Sequence, residues 1–156
     1  MHVNKTQVLC MDIHNFFPSI NINQVFEAFH CVGYTSDVAQ ALAQLCTHNA
    51  ILPQGAPTSP TLANIIFSPI DQQILNAIST KEITYTRYAD DLIFSSSHEL
   101  DFLIPLVSEI ISTNGFEINS NKTHLMKNPY RKMITGLIVT DTVKIPKYYK
   151  RKFNQE

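Results

Sequence analysis

Short apolar segments separated by polar turns run along the whole chain, and their spacing predicts a mixture of strands and helices. Residues 7–13 are almost entirely apolar, include Asp12, and are followed by a turn-rich segment, which predicts a buried strand. An amphipathic helical pattern then opens at Asn23 and stops at Gly33, and a second pattern is capped by Ser36. The sequence therefore predicts a core strand followed by two short helices.

A stiff loop and a longer helix come next. Three prolines fix the backbone of residues 52–60, and Gly55 supplies the freedom for a sharp turn. Ser59 is a suitable N-cap, Pro60 fits the first helical position, and the following apolar positions recur at helical spacing. We expect a third helix that begins at Ser59 and bends at Pro69.

The second half of the chain alternates between strand and helix patterns. Residues 83–88 and 92–95 are strand-like and flank residues 89–91, which predicts a hairpin with acidic residues at its tip. A fourth helix is expected over roughly residues 97–113. Further short strands are expected over residues 116–118, 123–126, 133–139 and 142–145. This order predicts an α+β fold in which an antiparallel sheet has helices packed on one face.

The composition narrows the class of protein. At 156 residues, with 44% hydrophobic and 16% charged residues, the chain is expected to fold as one domain. Neither a membrane span nor a secretory signal is recognisable. The three cysteines include no paired metal-binding motif, which favours reduced thiols and a cytoplasmic protein. Glycine-rich loops that bind nucleotide cofactors are also missing.

Acidic residues are concentrated in the first part of the chain and basic residues at its end. Residues 1–121 carry eleven acids and three bases, whereas residues 122–156 carry nine bases and two acids. An acidic body followed by a basic end is compatible with a polyanion that is bound through metal ions. A solvated basic tail is an equally good explanation from charge alone.

Three carboxylates are placed where chemistry is expected. Asp12 ends an apolar strand, and Asp90 and Asp91 lie at the tip of the apolar hairpin. Carboxylates that converge at the edge of a buried sheet need a cation, which predicts a magnesium site. The alternative is that each is a solvated turn residue, a common role for aspartate.

Several segments, in this order, resemble the palm motifs of reverse transcriptases: residues 12–20 (DIHNFFPSI), 52–64 (LPQGAPTSPTLAN) and 88–91 (YADD). Residues 115–123 look like the glycine-to-lysine motif that follows in this family. Residues 133–139 and 145–152 resemble the bacterial retron branch. The resemblance covers nearly the whole chain, and the match of five ordered motifs is specific.

The resemblance implies a polymerase palm fold and RNA-directed DNA polymerase activity. It implies that Asp12, Asp90 and Asp91 are catalytic and bind two Mg²⁺ ions, with Mn²⁺ as a substitute, for transfer of deoxynucleotides to a primer 3′-hydroxyl. Lys122 matches the catalytic lysine that interacts with the departing pyrophosphate. A surface lysine without a role is the alternative. The implied partners are an RNA template, a DNA or RNA primer, deoxynucleoside triphosphates and a structured non-coding RNA, without a membrane.

Four further residues resemble substrate-binding positions of the family. Phe17 matches the aromatic residue that blocks a ribose 2′-hydroxyl, Gln54 and Gly55 match the loop that lies against the incoming nucleotide, and Tyr88 precedes the paired acids. Each has a purely structural alternative. Phe17 could be a core residue, although this role suits Phe16 better because neighbouring residues of an extended segment face opposite ways. The loop with Gln54 and Gly55 could only start a helix, and Tyr88 could pack under the hairpin.

Family members are longer, so the resemblance also implies an incomplete enzyme. Residues 1–145 are expected to form the palm without fingers, and residues 146–156 to begin a truncated thumb. A non-catalytic remnant that binds nucleic acid or a partner is the alternative function. A group II intron maturase or a phage-defence reverse transcriptase is an alternative within the same family.

Overall fold

The computed structural model of the chain describes residues 2–127, 132–134, 136–139 and 142–146. The strands in this part of the chain are β1 (Gln7–Asp12), β2 (Thr84–Tyr88), β3 (Asp91–Ser96), β4 (His124–Lys127), β5 (Lys132–Ile134), β6 (Leu137–Val139) and β7 (Val143–Lys144). The helices are α1 (Ile22–Val32), α2 (Ser36–Cys46), α3 (Ser59–Ile78) and α4 (Leu103–Thr113).

The strands of the described residues form two antiparallel sheets. The larger has the strand order β2-β3-β1-β4, and the smaller has the order β5-β6-β7. In the larger sheet, Leu9 of β1 is opposite Phe94 of β3, and Asp12 is opposite Asp91. Because side chains alternate along a strand, Leu9 contributes to one face of the sheet and Asp12 to the other.

The main core lies between the large sheet and the helices. Leu9 and Phe94 are fully buried in it together with Phe67 and Ile74 of α3 and Val107 of α4. On the opposite face a smaller buried cluster joins Val8, Ile93 and Val139. The predicted α+β fold, with an antiparallel sheet and helices on one face, is confirmed.

Helix α1 begins at Ile22, one residue before the start at Asn23 that the sequence pattern predicts. Asn21 is the N-cap of α1, and its side chain accepts hydrogen bonds from the backbone N–H groups of Asn23 and Gln24. The Gln24 side chain in turn accepts from the Asn21 N–H, which completes a capping box. The helix ends as predicted at Gly33, whose φ of 110° is in the left-handed region.

Two predicted N-caps are wrong. Ser36 is the first residue of α2 and follows the N-cap Thr35, and Ser59 is the first residue of α3 and follows the N-cap Thr58. The Ser59 hydroxyl instead donates to the Pro53 carbonyl at 2.6 Å, so it ties the start of α3 to the stiff loop. Ser59 is fully buried, and leaving its hydroxyl without a partner would cost about 1–3 kcal/mol.

Three elements in the second half differ from prediction by more than one residue. Helix α4 begins at Leu103, because residues 97–102 form bends and turns instead of a first helical turn. The expected strand over residues 133–139 is two strands, β5 and β6, on either side of Gly136, which has a φ of 81°. The expected strand over residues 116–118 is reduced to a single bridge between Ile118 and Ile13.

The predicted thumb segment lies almost wholly outside the described residues, which end at residue 146. No helix within the described residues is long and apolar enough to cross a membrane.

Candidate active site

Three predicted carboxylates meet at one end of the large sheet. Asp12 and Asp91 are directly opposite each other in the β1–β3 register and so share a face of the sheet. Asp90 immediately precedes Asp91 in the hairpin turn, and its carbonyl accepts a 3.0 Å hydrogen bond from the Ile13 N–H. The strand ladder therefore fixes the backbone of all three residues beside one another.

The turn that precedes β4 brings a positively charged side chain to the carboxylates. The Asn119 N–H donates to the Asp12 carbonyl at 2.8 Å, and a single 3₁₀ turn over Ser120–Lys122 follows. The Lys122 ammonium then donates to Oδ2 of Asp12 at 2.8 Å. The Asp12 side chain is almost fully buried, whereas the Lys122 side chain is 60% exposed. Lys122 is thus a cation that reaches the carboxylate from the solvent side.

The carboxylates influence one another electrostatically. Burial raises the pKa of Asp91, and the negative charges of Asp90 and Asp12 raise it further, while Lys122 opposes them. The hydrogen bond to Asp12 raises the pKa of Lys122, which therefore stays charged. An excess of negative charge remains at this end of the sheet, and it favours a cation.

A cleft of about 240 Å³ opens in front of these carboxylates, and several predicted residues line it. Asp12, Asp90 and Lys122 lie on its walls together with Phe17 and Gln54. Five residues singled out from distant parts of the sequence therefore converge on one cavity. Asp91 lines a neighbouring cavity of about 520 Å³ on the sheet face opposite the main core, together with Asp12 and Lys122.

Gly55, which follows Gln54, has a φ of 90°, and a Cβ added to it would meet no other atom within 4 Å. The positive φ explains why glycine stands here, because side chains with a Cβ are strained in that conformation. The open space in front of Gly55 leaves its backbone accessible to a ligand.

The two adjacent phenylalanines have different environments. Phe16 is buried and packs against Phe67 and Phe116, with ring centroids 5.5 and 6.0 Å away. Phe17 is half-buried and lines the cleft in front of the carboxylates. The structure therefore assigns Phe16 to the core and leaves the Phe17 ring available to a ligand.

Tyr88 is opposite Asp91 in the β2–β3 register, but its side chain is 73% exposed. The alternative that it packs under the hairpin is therefore wrong. Tyr88 lines a second cleft, of about 320 Å³, together with Phe17, Asn64 and Arg87. Phe17 thus stands between the two clefts.

Sequence reasoning gave no role to the polar network behind the hairpin. Arg87 forms a salt bridge with Asp71 of α3 at 2.7 Å, although its side chain is only 8% exposed. The hydroxyl of Tyr85 donates to the same carboxylate at 2.7 Å. An arginine inside a strand and an aspartate inside an apolar helix were the available signals, but only the fold shows that they pair.

The donor chemistry at the site suits a hard divalent cation. Carboxylate oxygens are the ligands that Mg²⁺ and Mn²⁺ prefer, and Asp12, Asp90 and Asp91 provide them. Among the described residues, no group of three or more His, Cys, Asp or Glu side chains is arranged as a finished metal cage. Lys122 contacts the carboxylate that a metal ion would use, so the residues fit a metal once the ammonium moves away.

Comparison with known proteins identifies the family of this chain. The family model described as "Reverse transcriptase (RNA-dependent DNA polymerase)" matches residues 2–145. The Retron Ec86 reverse transcriptase of Escherichia coli is 37% identical over 145 residues, which cover 89% of this chain and 44% of that protein. The Retron Mx65 reverse transcriptase of Myxococcus xanthus is 32% identical, over 91% of this chain and 38% of that protein.

The fold is also found among solved structures. Apo telomerase from Candida tropicalis, truncated from its C-terminal domain, superposes with a TM-score of 0.66 at 16% identity and covers 90% of this chain and 35% of the telomerase chain.

The chain belongs to the reverse transcriptase family, because the family model matches nearly its whole length. It resembles the retron members in particular and spans less than half the length of the two retron relatives above.

Proposed function

We propose that residues 1–145 are the palm of a retron-type RNA-directed DNA polymerase, which adds deoxynucleotides to a primer 3′-hydroxyl on an RNA template. The observation that supports this most strongly is the convergence of Asp12, Asp90 and Asp91 at one sheet end, in front of a cleft that Phe17 and Gln54 also line. Family membership supports the same reaction class. Residues 146–156 would begin the thumb.

In this proposal Asp12, Asp90 and Asp91 hold two Mg²⁺ ions, with Mn²⁺ as a substitute. Two bound divalent ions activate the attacking hydroxyl and neutralise the charge on the leaving pyrophosphate. The chain contributes the geometry: the β1–β3 register sets Asp12 against Asp91, and the Ile13 N–H holds the carbonyl of Asp90. Rigid strands position ligands better than loops do.

Lys122 would exchange partners during the reaction. In the described structure its ammonium neutralises Asp12. The Lys122 side chain is 60% exposed, so neighbouring groups would not block a change of its rotamer. With a metal ion bound at Asp12, the Lys122 ammonium would be released from this carboxylate and would be available to bind the pyrophosphate. A long flexible lysine suits this role, because it acts as a mobile point charge.

The cleft would hold the incoming nucleotide. The Phe17 ring lies between the two clefts, where its volume would exclude a ribose 2′-hydroxyl and so select deoxynucleotides. Gln54 and the open backbone of Gly55 would contact the nucleotide, and the exposed Tyr88 ring would contact the substrate from the second cleft. The nine bases between residues 122 and 152 would attract the primer and template. A structured non-coding RNA is a further proposed partner, on the resemblance of residues 133–139 and 145–152 to the retron branch.

A chimaera tests the proposed function. Residues 2–145, which the family model matches, replace the corresponding segment of the Retron Ec86 reverse transcriptase, so that the remainder of that protein is supplied. Extension of a labelled primer on an RNA template with deoxynucleotides and Mg²⁺ is then measured. We expect extension by the chimaera and a loss of at least about 100-fold with Asp90→Asn, since removal of a metal-binding carboxylate removes the electrostatic stabilisation of the transition state.

The control is Lys81→Gln, which changes an exposed lysine that lies outside the basic segment and lines neither cleft, and it should leave extension unchanged. A folded chimaera with all three carboxylates that does not extend primers would contradict the proposal and favour a non-catalytic remnant. Extension that survives Asp90→Asn would contradict the assignment of the site.

A further inference from the structure

The Arg87 side chain joins helix α3 to the tip of the hairpin. Its Nη1 donates to Oδ1 of Asn64 at 2.9 Å and to the carbonyl of Ala89 at 3.1 Å. The carbonyl of Ala89 belongs to the peptide group that also carries the N–H of Asp90. The guanidinium therefore restrains the orientation of the peptide immediately before a proposed metal ligand.

This peptide lies in a strained turn. Ala89 has a φ of 50°, in the left-handed region that costs a residue with a Cβ about 1 kcal/mol or more. The following carbonyl, that of Asp90, is held by the Ile13 N–H at 3.0 Å. Asp90 is thus fixed from both sides, by Arg87 through the peptide before it and by Ile13 through the peptide after it.

The positive charge of Arg87 is paired with the carboxylate of Asp71. Its Nε donates to Oδ1 of Asp71 at 3.0 Å, and its Nη2 donates to Oδ2 at 2.7 Å. The Tyr85 hydroxyl donates to the same carboxylate, and its pKa is raised by burial and by that bond, so it remains a donor. Asp71 therefore neutralises the guanidinium and keeps it from competing with a metal ion for Asp90.

The guanidinium is also held by aromatic rings. It lies 4.6 Å from the Phe67 ring centroid and 5.9 Å from that of Phe16. A planar guanidinium can stack on a ring while it donates in several fixed directions, which an ammonium cannot do. Lysine at position 87 would keep the charge beside Asp71 but could not also serve Asn64 and the Ala89 carbonyl in this geometry.

We propose that Arg87 is a positioning residue that sets the Asp90 carboxylate for metal binding by fixing the peptide between Ala89 and Asp90. This inference rests on the proposed function, because it presumes that Asp90 binds a metal. Residues that orient metal ligands typically change metal affinity by about 10- to 100-fold when they are altered.

The test compares two variants of the 156-residue chain that disturb the same network. Arg87→Lys removes the hydrogen bond to the Ala89 carbonyl, whereas Tyr85→Phe removes only a hydrogen bond to Asp71. Mn²⁺ affinity is measured from the electron paramagnetic resonance signal of the free ion, below the unfolding temperature of each variant. Melting temperatures are recorded alongside.

We expect Arg87→Lys to weaken Mn²⁺ binding about tenfold or more, and Tyr85→Phe to retain the wild-type affinity although it lowers the melting temperature. Wild-type Mn²⁺ affinity in folded Arg87→Lys would overturn the inference, because Arg87 would then only stabilise the fold. An equal loss in both variants would overturn it as well, since general loosening would explain the result.

Asp90→Asn separates this inference from the proposed function. If that variant binds Mn²⁺ as tightly as the wild type, the proposed metal site fails and the inference fails with it. If Asp90→Asn loses Mn²⁺ but Arg87→Lys does not, the metal site stands and only the role of Arg87 is refuted.

Discussion

The Lys122 ammonium lies 2.8 Å from Oδ2 of Asp12, although 110 residues separate the two in sequence. The salt bridge joins the turn before β4 to the end of β1 and places a positive charge beside the proposed metal ligands. A lysine that neutralises this carboxylate limits the repulsion among the acids. It also competes with any metal ion for the same oxygen.

Divalent metal should stabilise the protein through the three carboxylates. With Mg²⁺ at about 100 times its dissociation constant, mass action predicts about 2.7 kcal/mol of stabilisation, or a rise in melting temperature of roughly 5–10 °C. Differential scanning fluorimetry in EDTA and in Mg²⁺ measures the rise. Asp90→Asn should show little of it, and an equal rise in that variant would place the metal elsewhere.

Removal of the competing ammonium should tighten metal binding. Lys122→Gln is expected to increase Mn²⁺ affinity in the absence of nucleotide by about 2- to 5-fold, the range expected when an ion pair made by a solvent-exposed lysine is lost. The matched control is Lys127→Gln, which removes the exposed lysine paired with Asp101 and should not alter the affinity. Weaker Mn²⁺ binding by Lys122→Gln would show that the lysine supports the metal site instead of competing for it.

Neutralisation of Asp91 should stabilise the metal-free protein at neutral pH. The folded-state pKa of Asp91 is raised by burial and by Asp90 and Asp12, so the folded protein binds the proton more tightly than the unfolded chain. The stability that this proton provides is present below about pH 4 and is lost as pH rises through the raised pKa.

Asp91→Asn in EDTA should therefore melt higher than the wild type at pH 7, by no more than ~4 °C, with a difference that shrinks toward pH 4. Thermal melts across this pH range measure the effect. A variant that is less stable than the wild type at pH 7 would show that Asp91 makes favourable contacts that outweigh the repulsion.

The adjacent phenylalanines should respond differently to truncation. Phe16→Ala removes a buried ring that packs against Phe67 and should cost about 3–5 kcal/mol of unfolding free energy in a denaturant titration. Phe17→Ala should cost less because that ring is half-buried.

In the Ec86 chimaera, Phe17→Ala should instead increase ribonucleotide incorporation relative to deoxynucleotide incorporation in primer extension. The carboxylates are untouched by this change, so discrimination between the sugars is tested separately from chemistry. Unchanged discrimination would mean that Phe17 only packs against Phe16.

Most of the strand framework could be predicted from the sequence, and so could the positions of Asp12 at a strand end and of Asp90 and Asp91 at the hairpin tip. An apolar run that ends in Asp12 and a hairpin tipped by Asp90 and Asp91 are local signals, because period-two burial and turn composition act over a few residues. The same local rules were less reliable for helix starts. Ser36 and Ser59 are suitable caps by type, but Thr35 and Thr58 occupy the cap positions.

The tertiary structure alone decided which distant residues meet. Helix α3 lies beside the hairpin, so the Arg87 guanidinium donates hydrogen bonds to Asp71 and Asn64 of this helix. The turn before β4 folds back on β1, so Lys122 reaches Asp12. These contacts depend on how α3, the hairpin and β4 pack against one another. Hydrophobic periodicity and turn composition specify each element but not the placement of two elements far apart in the chain, so they could not predict these contacts.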